Sequence, residues 1–168
     1  MQNLPATYIW LSVHNTHPDW VLDIYGQGML QDELQQKILA ANAGTYIHLK
    51  GSSPDIMYEY LNCSLLVLTS RYEGFPMALL EAMACGVPCV TYDCPFGPRS
   101  MITNMRNGIL VEEGDKKEMV DKINYLIENE KNRKKIGTNA RKYVLQYSQK
   151  NIMDKWNILF NNCLTLTS

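Results

Sequence analysis

Short apolar runs ending in glycine alternate with longer stretches of helical periodicity, and this alternation narrows the choice of fold more than any other feature. Residues 21–26 (VLDIYG) read as a strand closed by glycine. Residues 30–43 then carry Leu30, Leu34, Ile38 and Ala41 at helical spacing. Residues 46–49 read as a second strand, closed by Gly51, and residues 55–61 as a short helix. The run LLVLT at 65–69 is apolar without a break, the pattern of a parallel strand covered on both faces. Residues 76–85 read as a helix with Pro76 in its first turn and Gly86 as its stop. Residues 87–92 and 109–111 complete five strands, and 116–128, 131–146 and 149–163 read as three further helices. Such alternation predicts an α/β domain with a parallel sheet and helices on both faces. In sheets of that kind ligands bind beyond the carboxyl ends of the strands. Gly26, Gly28, Gly51 and the pair Glu73-Gly74 all fall there.

The chain of 168 residues fits one domain, 1–168, large enough to bury a core without disulfides or metal. Its formal net charge of −1 argues against a general nucleic-acid binder, which would carry a basic excess. The five cysteines are odd in number and form no Cys-x-x-Cys pair, which favours a reducing compartment. Cys85, Cys89 and Cys94 lie close together, but their spacing suits no common zinc finger and no histidine follows. They read as free thiols. No signal peptide opens the sequence and no apolar run is long enough to span a bilayer. A cytoplasmic location is expected. The basic run from Lys131 to Lys142 reads as a solvated helix face, with contact to an anionic membrane surface as the sharper alternative.

The segment SRYEGFPMALLEAMACGVP, residues 70–88, concentrates the chemistry. A loop with Glu73 and Gly74 follows a buried strand, and Pro76 then sets the first turn of a helix. The free amides and positive partial charge of a helix start can dock a diphosphate. Gly74 permits close backbone approach. Glu81 has only apolar neighbours, from Met77 to Ala84, so its helix is expected to be buried all round. A carboxylate there is costly unless it is paired. The hydroxyls of a ribose diol would satisfy it, and so would a local arginine or backbone amides. Glu73 lies eight residues earlier; on spacing alone a solvated loop residue or half of a glycosidase acid/base pair are also open.

Two glutamates separated by seven residues, within SRYEGFPMALLEAMACGVPCVTYD, resemble the donor-site signature of the family-4 retaining glycosyltransferases with the GT-B fold. WVLDIYGQG at 20–28, IHLKG at 47–51, Gly97-Pro98 and NGILV at 107–111 resemble further blocks of that family, in order and at matching spacing. The resemblance covers nearly the whole chain. It implies the C-terminal half of a GT-B enzyme: a Rossmann-like domain that binds a nucleotide-diphosphate sugar and takes part in retaining transfer to an acceptor hydroxyl. A UDP-sugar is the favoured donor, and no metal or other cofactor is expected. Bacterial polysaccharide or glycoconjugate synthesis at the cytoplasmic face of the membrane is the implied setting. A non-catalytic nucleotide-binding or interaction subunit, paired with a separate acceptor domain, is the alternative.

Carried over residue by residue, the resemblance gives Glu73 contact with donor-sugar hydroxyls as the catalytic glutamate. Gly74, Phe75 and Pro76 line the sugar and diphosphate pocket, Leu80 lies against the ribose, and Glu81 binds the ribose hydroxyls. Gly26 and Gly28 lie beside the phosphate cleft, and Gly51 and Ser52 near the base. The family's first strand, the cationic pair after it and the N-terminal acceptor domain with its histidine have no counterpart here. His14, His17 and His48 read as surface or turn residues, and Arg99 is a candidate substitute cation. With strand 1 of the order 3-2-1-4-5-6 lacking, the sheet is expected to close up, recruit another segment, or borrow one from a neighbouring chain. The helix at 149–163 is the family's crossover helix. Its Ile152, Trp156 and Leu159 form an apolar stripe that favours a homodimer of the fragment.

Overall fold

The computed structural model describes residues 5–94 and 97–165. Among them eight α-helices and five strands run in the order α1 (Pro5–Thr16), β1 (Leu22–Tyr25), α2 (Gln31–Ala40), β2 (Ile47–Gly51), α3 (Ile56–Asn62), β3 (Leu66–Leu68), α4 (Met77–Ala84), β4 (Cys89–Tyr92), α5 (Pro98–Met101), β5 (Ile109–Val111), α6 (Lys116–Glu128), α7 (Glu130–Val144) and α8 (Gln149–Thr165). The strands predicted from sequence are all present, and every strand pair is parallel. The four-residue helix α5 has no counterpart in the sequence reading. One 3-10 turn, Leu145–Tyr147, ends the segment that reads as helix to residue 146.

Strand β4 shows why helices cover both faces. Val90 and Tyr92 enter a core with Ile9, Trp10 and Val13 of α1 and Met119, Ile123 and Leu126 of α6. Cys89 points the other way, into a core with Leu79, Ala82 and Met83 of α4 and Ala140 and Val144 of α7. This is the period-two alternation of a strand between two helix layers. Ile109 and Val111 of β5 join the first core, and Leu110 packs against the second.

Helix ends follow local chemistry. The amide of Gly86 donates to the Met83 carbonyl at 3.0 Å and that of Val87 to the Ala82 carbonyl at 2.9 Å. This Schellman closure needs the left-handed φ of +78° that Gly86 adopts. Asp55 and Asp115 cap α3 and α6 through the amides of Tyr58 and Glu118. Arg133, part of the basic run, donates to the Leu126 and Ile127 carbonyls near the end of α6 and lies over the Trp20 ring. It is therefore a structural cap. Trp156, Ile158, Leu159 and Phe160 of α8 are exposed, so the apolar stripe expected there is present; Ile152 is half-buried. No helix of the described residues is long and apolar enough to cross a membrane.

The sheet is in two pieces, β2-β1 and β3-β4-β5. Both lie over the same helical layer, since Leu22, Ile24, Ile47 and Leu49 belong with Val90 and Ile109 in the first core. The sheet has not closed up, and no described segment stands between β1 and β3.

Candidate functional site

The carboxyl end of β3 leads through the loop containing Glu73 into α4. Pro76 occupies the N-cap of this helix, one residue before the first-turn position expected for it. The first intrahelical amide bond, from Leu80 to the Pro76 carbonyl, measures 3.1 Å. The amides of Met77, Ala78 and Leu79 at the helix start have no intrahelical partner. Glu73 is half-buried and Gly74 and Phe75 are exposed. Phe75 packs edge-on to Tyr147, with ring centroids 5.9 Å apart. The loop rests on Gly97, where a Cβ would come within 2.8 Å of the Glu73 Cβ and 3.0 Å of its carbonyl oxygen. Only glycine fits there without displacing the loop, a constraint the sequence did not reveal.

Helix α4 is not buried all round. Leu79, Ala82 and Met83 are buried, but Met77 and Ala84 are exposed, and Leu80 and Glu81 are half-buried. Apolar composition overstated the burial because one side of the helix faces away from the core. Of the partners considered for Glu81, neither arginine nor backbone amide is present among the described residues. The Tyr60 hydroxyl donates to Glu81 Oε2 at 3.4 Å, from the adjacent helix α3. A carboxylate has about four acceptor sites, so this one long bond leaves most of its capacity open.

Burial, then the neighbouring Glu81 carboxylate, pushes the Tyr60 phenol up to about 12. Burial, then the hydrogen bond to Glu59, pushes Tyr25 up to about 12. For a raised phenol, the stabilising contribution is complete below the ordinary value of about 10 and is lost as pH climbs through the folded value. Thermal stability is therefore expected to fall between pH 10 and 12. Tyr60→Phe should flatten that fall, as melting curves across the range would show.

The glycine turns form a second group. The Gly26 amide donates to the Gly51 carbonyl at 2.7 Å, joining the carboxyl ends of β1 and β2. Gly26 has φ +129° and Gly51 φ +67°, conformations that favour glycine. Gly28 and Ser52 are exposed beside them. The loop after β2 is held by Glu59, which accepts from Tyr25 at 2.8 Å and Ser53 at 3.3 Å. Sequence reasoning missed Tyr25, Glu59 and Tyr60 because their partners lie 34, 6 and 21 residues away. Both groups occupy the carboxyl side of the parallel strands, and no hydrogen bond among the described residues joins them.

Arg99 is not a spare cation. It makes two bonds of 2.8 Å to Asp93, one from Nε and one from the guanidinium terminus. His14 stacks on Tyr46, His17 faces Glu128 and His48 pairs with Asp23. Cys89 and Cys94 are buried and all five cysteines are free. Among the described residues no three metal-ligating side chains cluster.

The model of glycosyl transferases group 1 matches residues 9–143. The chain belongs to this family. A poly(ribitol-phosphate) α-N-acetylglucosaminyltransferase of Staphylococcus aureus is 34% identical over 140 residues, covering 83% of this chain and 28% of that enzyme. A crystal structure of an S. aureus TarM mutant, in complex with fondaparinux, α-GlcNAc-glycerol and UDP, superposes with a TM-score of 0.88 at 30% identity. The match covers 94% of this chain and 32% of that one. The C-terminal domain of a group 1 glycosyl transferase from Francisella tularensis gives a TM-score of 0.72 at 25% identity, over 87% of this chain and 80% of that domain. This chain spans about a third or less of the S. aureus enzyme and of the TarM chain, and its architecture is that of the C-terminal domain of GT-B glycosyltransferases.

Proposed function

We propose that this group 1 chain is the donor-binding domain of a retaining glycosyltransferase. The enzyme moves a sugar from a nucleotide-diphosphate sugar, UDP-linked, to an acceptor hydroxyl in polysaccharide or glycoconjugate synthesis. The observation that carries the reading is Glu81: a half-buried carboxylate on an apolar helix, whose single long bond from Tyr60 leaves room for a ribose diol. The UDP in the TarM complex supports the choice of nucleotide by likeness.

In this reading Glu81 accepts from the two ribose hydroxyls and Leu80 lies against the sugar ring. The free amides at the start of α4 face the diphosphate, whose departing charge they stabilise as the glycosidic bond breaks. Glu73 holds hydroxyls of the transferred sugar, with Gly74, Phe75 and Pro76 around it. Gly26 and Gly28 flank the phosphates, and Gly51 and Ser52 the base. The acceptor is held by an N-terminal domain, so this chain alone binds nucleotide and turns over little.

The test is a calorimetric titration of UDP, GDP and ADP into the chain and into Glu81→Ala. The parent should prefer UDP. The variant should lose at least about tenfold in affinity for UDP, equivalent to roughly 1.4 kcal/mol, because charge-assisted bonds to the diol disappear. Equal affinity of parent and variant would remove Glu81 from the ribose.

A further inference from the structure

Helix α3 presents consecutive residues to the two groups of the site. Tyr60 donates to Glu81 at 3.4 Å, while Glu59 turns to the loop that joins β2 to α3. We infer that Glu59 is a positioning residue for that loop, and that by fixing it Glu59 sets the preference of the site for a pyrimidine over a purine base. The inference rests on the proposed function, which puts Gly51 and Ser52 beside the base.

The place of Glu59 follows from the strand beside it. Leu22 and Ile24 of β1 enter the first core, whereas Ile56 and Tyr60 hold α3 against the second. Tyr25 projects from the α3 face of β1, and its hydroxyl donates to Glu59 Oε2 at 2.8 Å. The other carboxylate oxygen, Oε1, accepts from the Ser53 hydroxyl at 3.3 Å. Ser53 Oγ in turn accepts from the Asp55 amide at 3.2 Å, and Asp55 Oδ1 accepts from the Tyr58 amide at 3.1 Å, capping α3. One carboxylate thus ties the carboxyl end of β1, the middle of the loop and the start of α3. An ionised acceptor makes stronger hydrogen bonds than a neutral one, which suits it to this task.

The loop is otherwise open to solvent. Ser52, Pro54 and Asp55 are exposed, and Ser53 is its half-buried member. Its entry is set by Gly51, which has φ +67° and a carbonyl that accepts from the Gly26 amide at 2.7 Å. Past Gly51, Ser53 is where the loop meets Glu59. Exposed loops released from such ties sample many conformations. Held in place, this one leaves a space of fixed width beside Gly51 and Ser52. A purine needs more room than a pyrimidine. A loop that cannot withdraw rejects the larger base, and a loosened loop rejects it less. Holding the loop before the nucleotide arrives also lowers the ordering cost of binding.

The test uses two readouts. Backbone order parameters from NMR relaxation report the hold itself, without nucleotide. In Ser53→Ala and Glu59→Ala, those of Ser52, Ser53 and Asp55 should drop from the rigid range, about 0.85, to below about 0.6. Unchanged values in β4 report an intact fold. If Glu59→Ala does not fold, Ser53→Ala supplies both readings. Calorimetric titration of UDP and ADP reports the consequence. The ratio of UDP to ADP affinity should fall about fivefold or more in both variants, within the scale of one charge-assisted hydrogen bond. Glu59→Gln keeps an acceptor for Tyr25 and a polar group for Ser53, and should restore the ratio to within about twofold. Glu81→Ala should weaken both nucleotides by a common factor and leave the ratio unchanged, since both carry the ribose. An unchanged ratio, or a loop as ordered in the variants as in the parent, overturns the inference while nucleotide binding stands. A parent that binds UDP and ADP equally also overturns it. A parent that binds neither removes the donor reading, and this inference with it.

Discussion

Gly137→Ala is expected to destabilise the domain by about 3 kcal/mol, near the top of the usual overpacking range. That corresponds to a melting temperature lower by roughly 6–12 °C for a domain of this size. The cause is a direct approach of backbone to backbone. A Cβ at Gly137 would lie 2.0 Å from the Gly86 carbonyl oxygen and 3.3 Å from Pro88 Cδ. The oxygen belongs to the Schellman turn that closes α4, and Gly86 itself has φ +78°, so the turn has little freedom to withdraw. Helix α7 must then lift away from α4, opening the core that holds Leu79, Met83 and Ala140. Gly44→Ala is the control: nothing lies within 4 Å of a Cβ there. Its effect should stay within about 0.5 kcal/mol, as at ordinary surface positions. Equal melting temperatures for the two variants would show that α7 does not rest on the Gly86 turn.

Gly137 also shows where sequence reading stops. Its neighbours, Lys135, Ile136 and Thr138, give an ordinary helical pattern, and the reason for a glycine lies fifty residues away in a turn. Signals that act over a few residues were legible. Gly86 ends α4, LLVLT gives β3, and the apolar spacing of Leu34 and Ile38 fixes the inner face of α2. Family resemblance extended this to the order of the blocks and to the C-terminal GT-B architecture.

What depended on pairing across the fold was not legible. Sequence leaves open whether Arg99 serves as a substitute cation, and only the fold brings Asp93 against it. Glu81 looked like the carboxylate of a fully buried helix, but α4 turns one side away from the core and α3 brings Tyr60 alongside. The missing ladder partner of β1 and β3 was foreseen from strand order, but its outcome was not. Helices α1 and α6 share one core with both pieces of the sheet.

Glu73→Gln separates binding from transfer, and the expected effect is large. Joined to an acceptor domain, as the proposed function requires, the variant should show a kcat lower by two to three orders of magnitude, the scale on which a group stabilising transition-state charge acts. UDP affinity should change by less than about twofold, since nucleotide contacts are assigned to Glu81 and the start of α4. The geometry makes the substitution informative. Glu73 is half-buried, its loop is pinned by Gly97, and glutamine keeps the shape, so loop packing is retained while the negative charge is removed. A structural role alone predicts the reverse pattern: disturbed loop packing should weaken UDP and UDP-sugar together. Parallel titrations of the two ligands, run beside the turnover assay, distinguish the cases. A variant that keeps its transfer rate would return Glu73 to the solvated loop residue that spacing alone also allows.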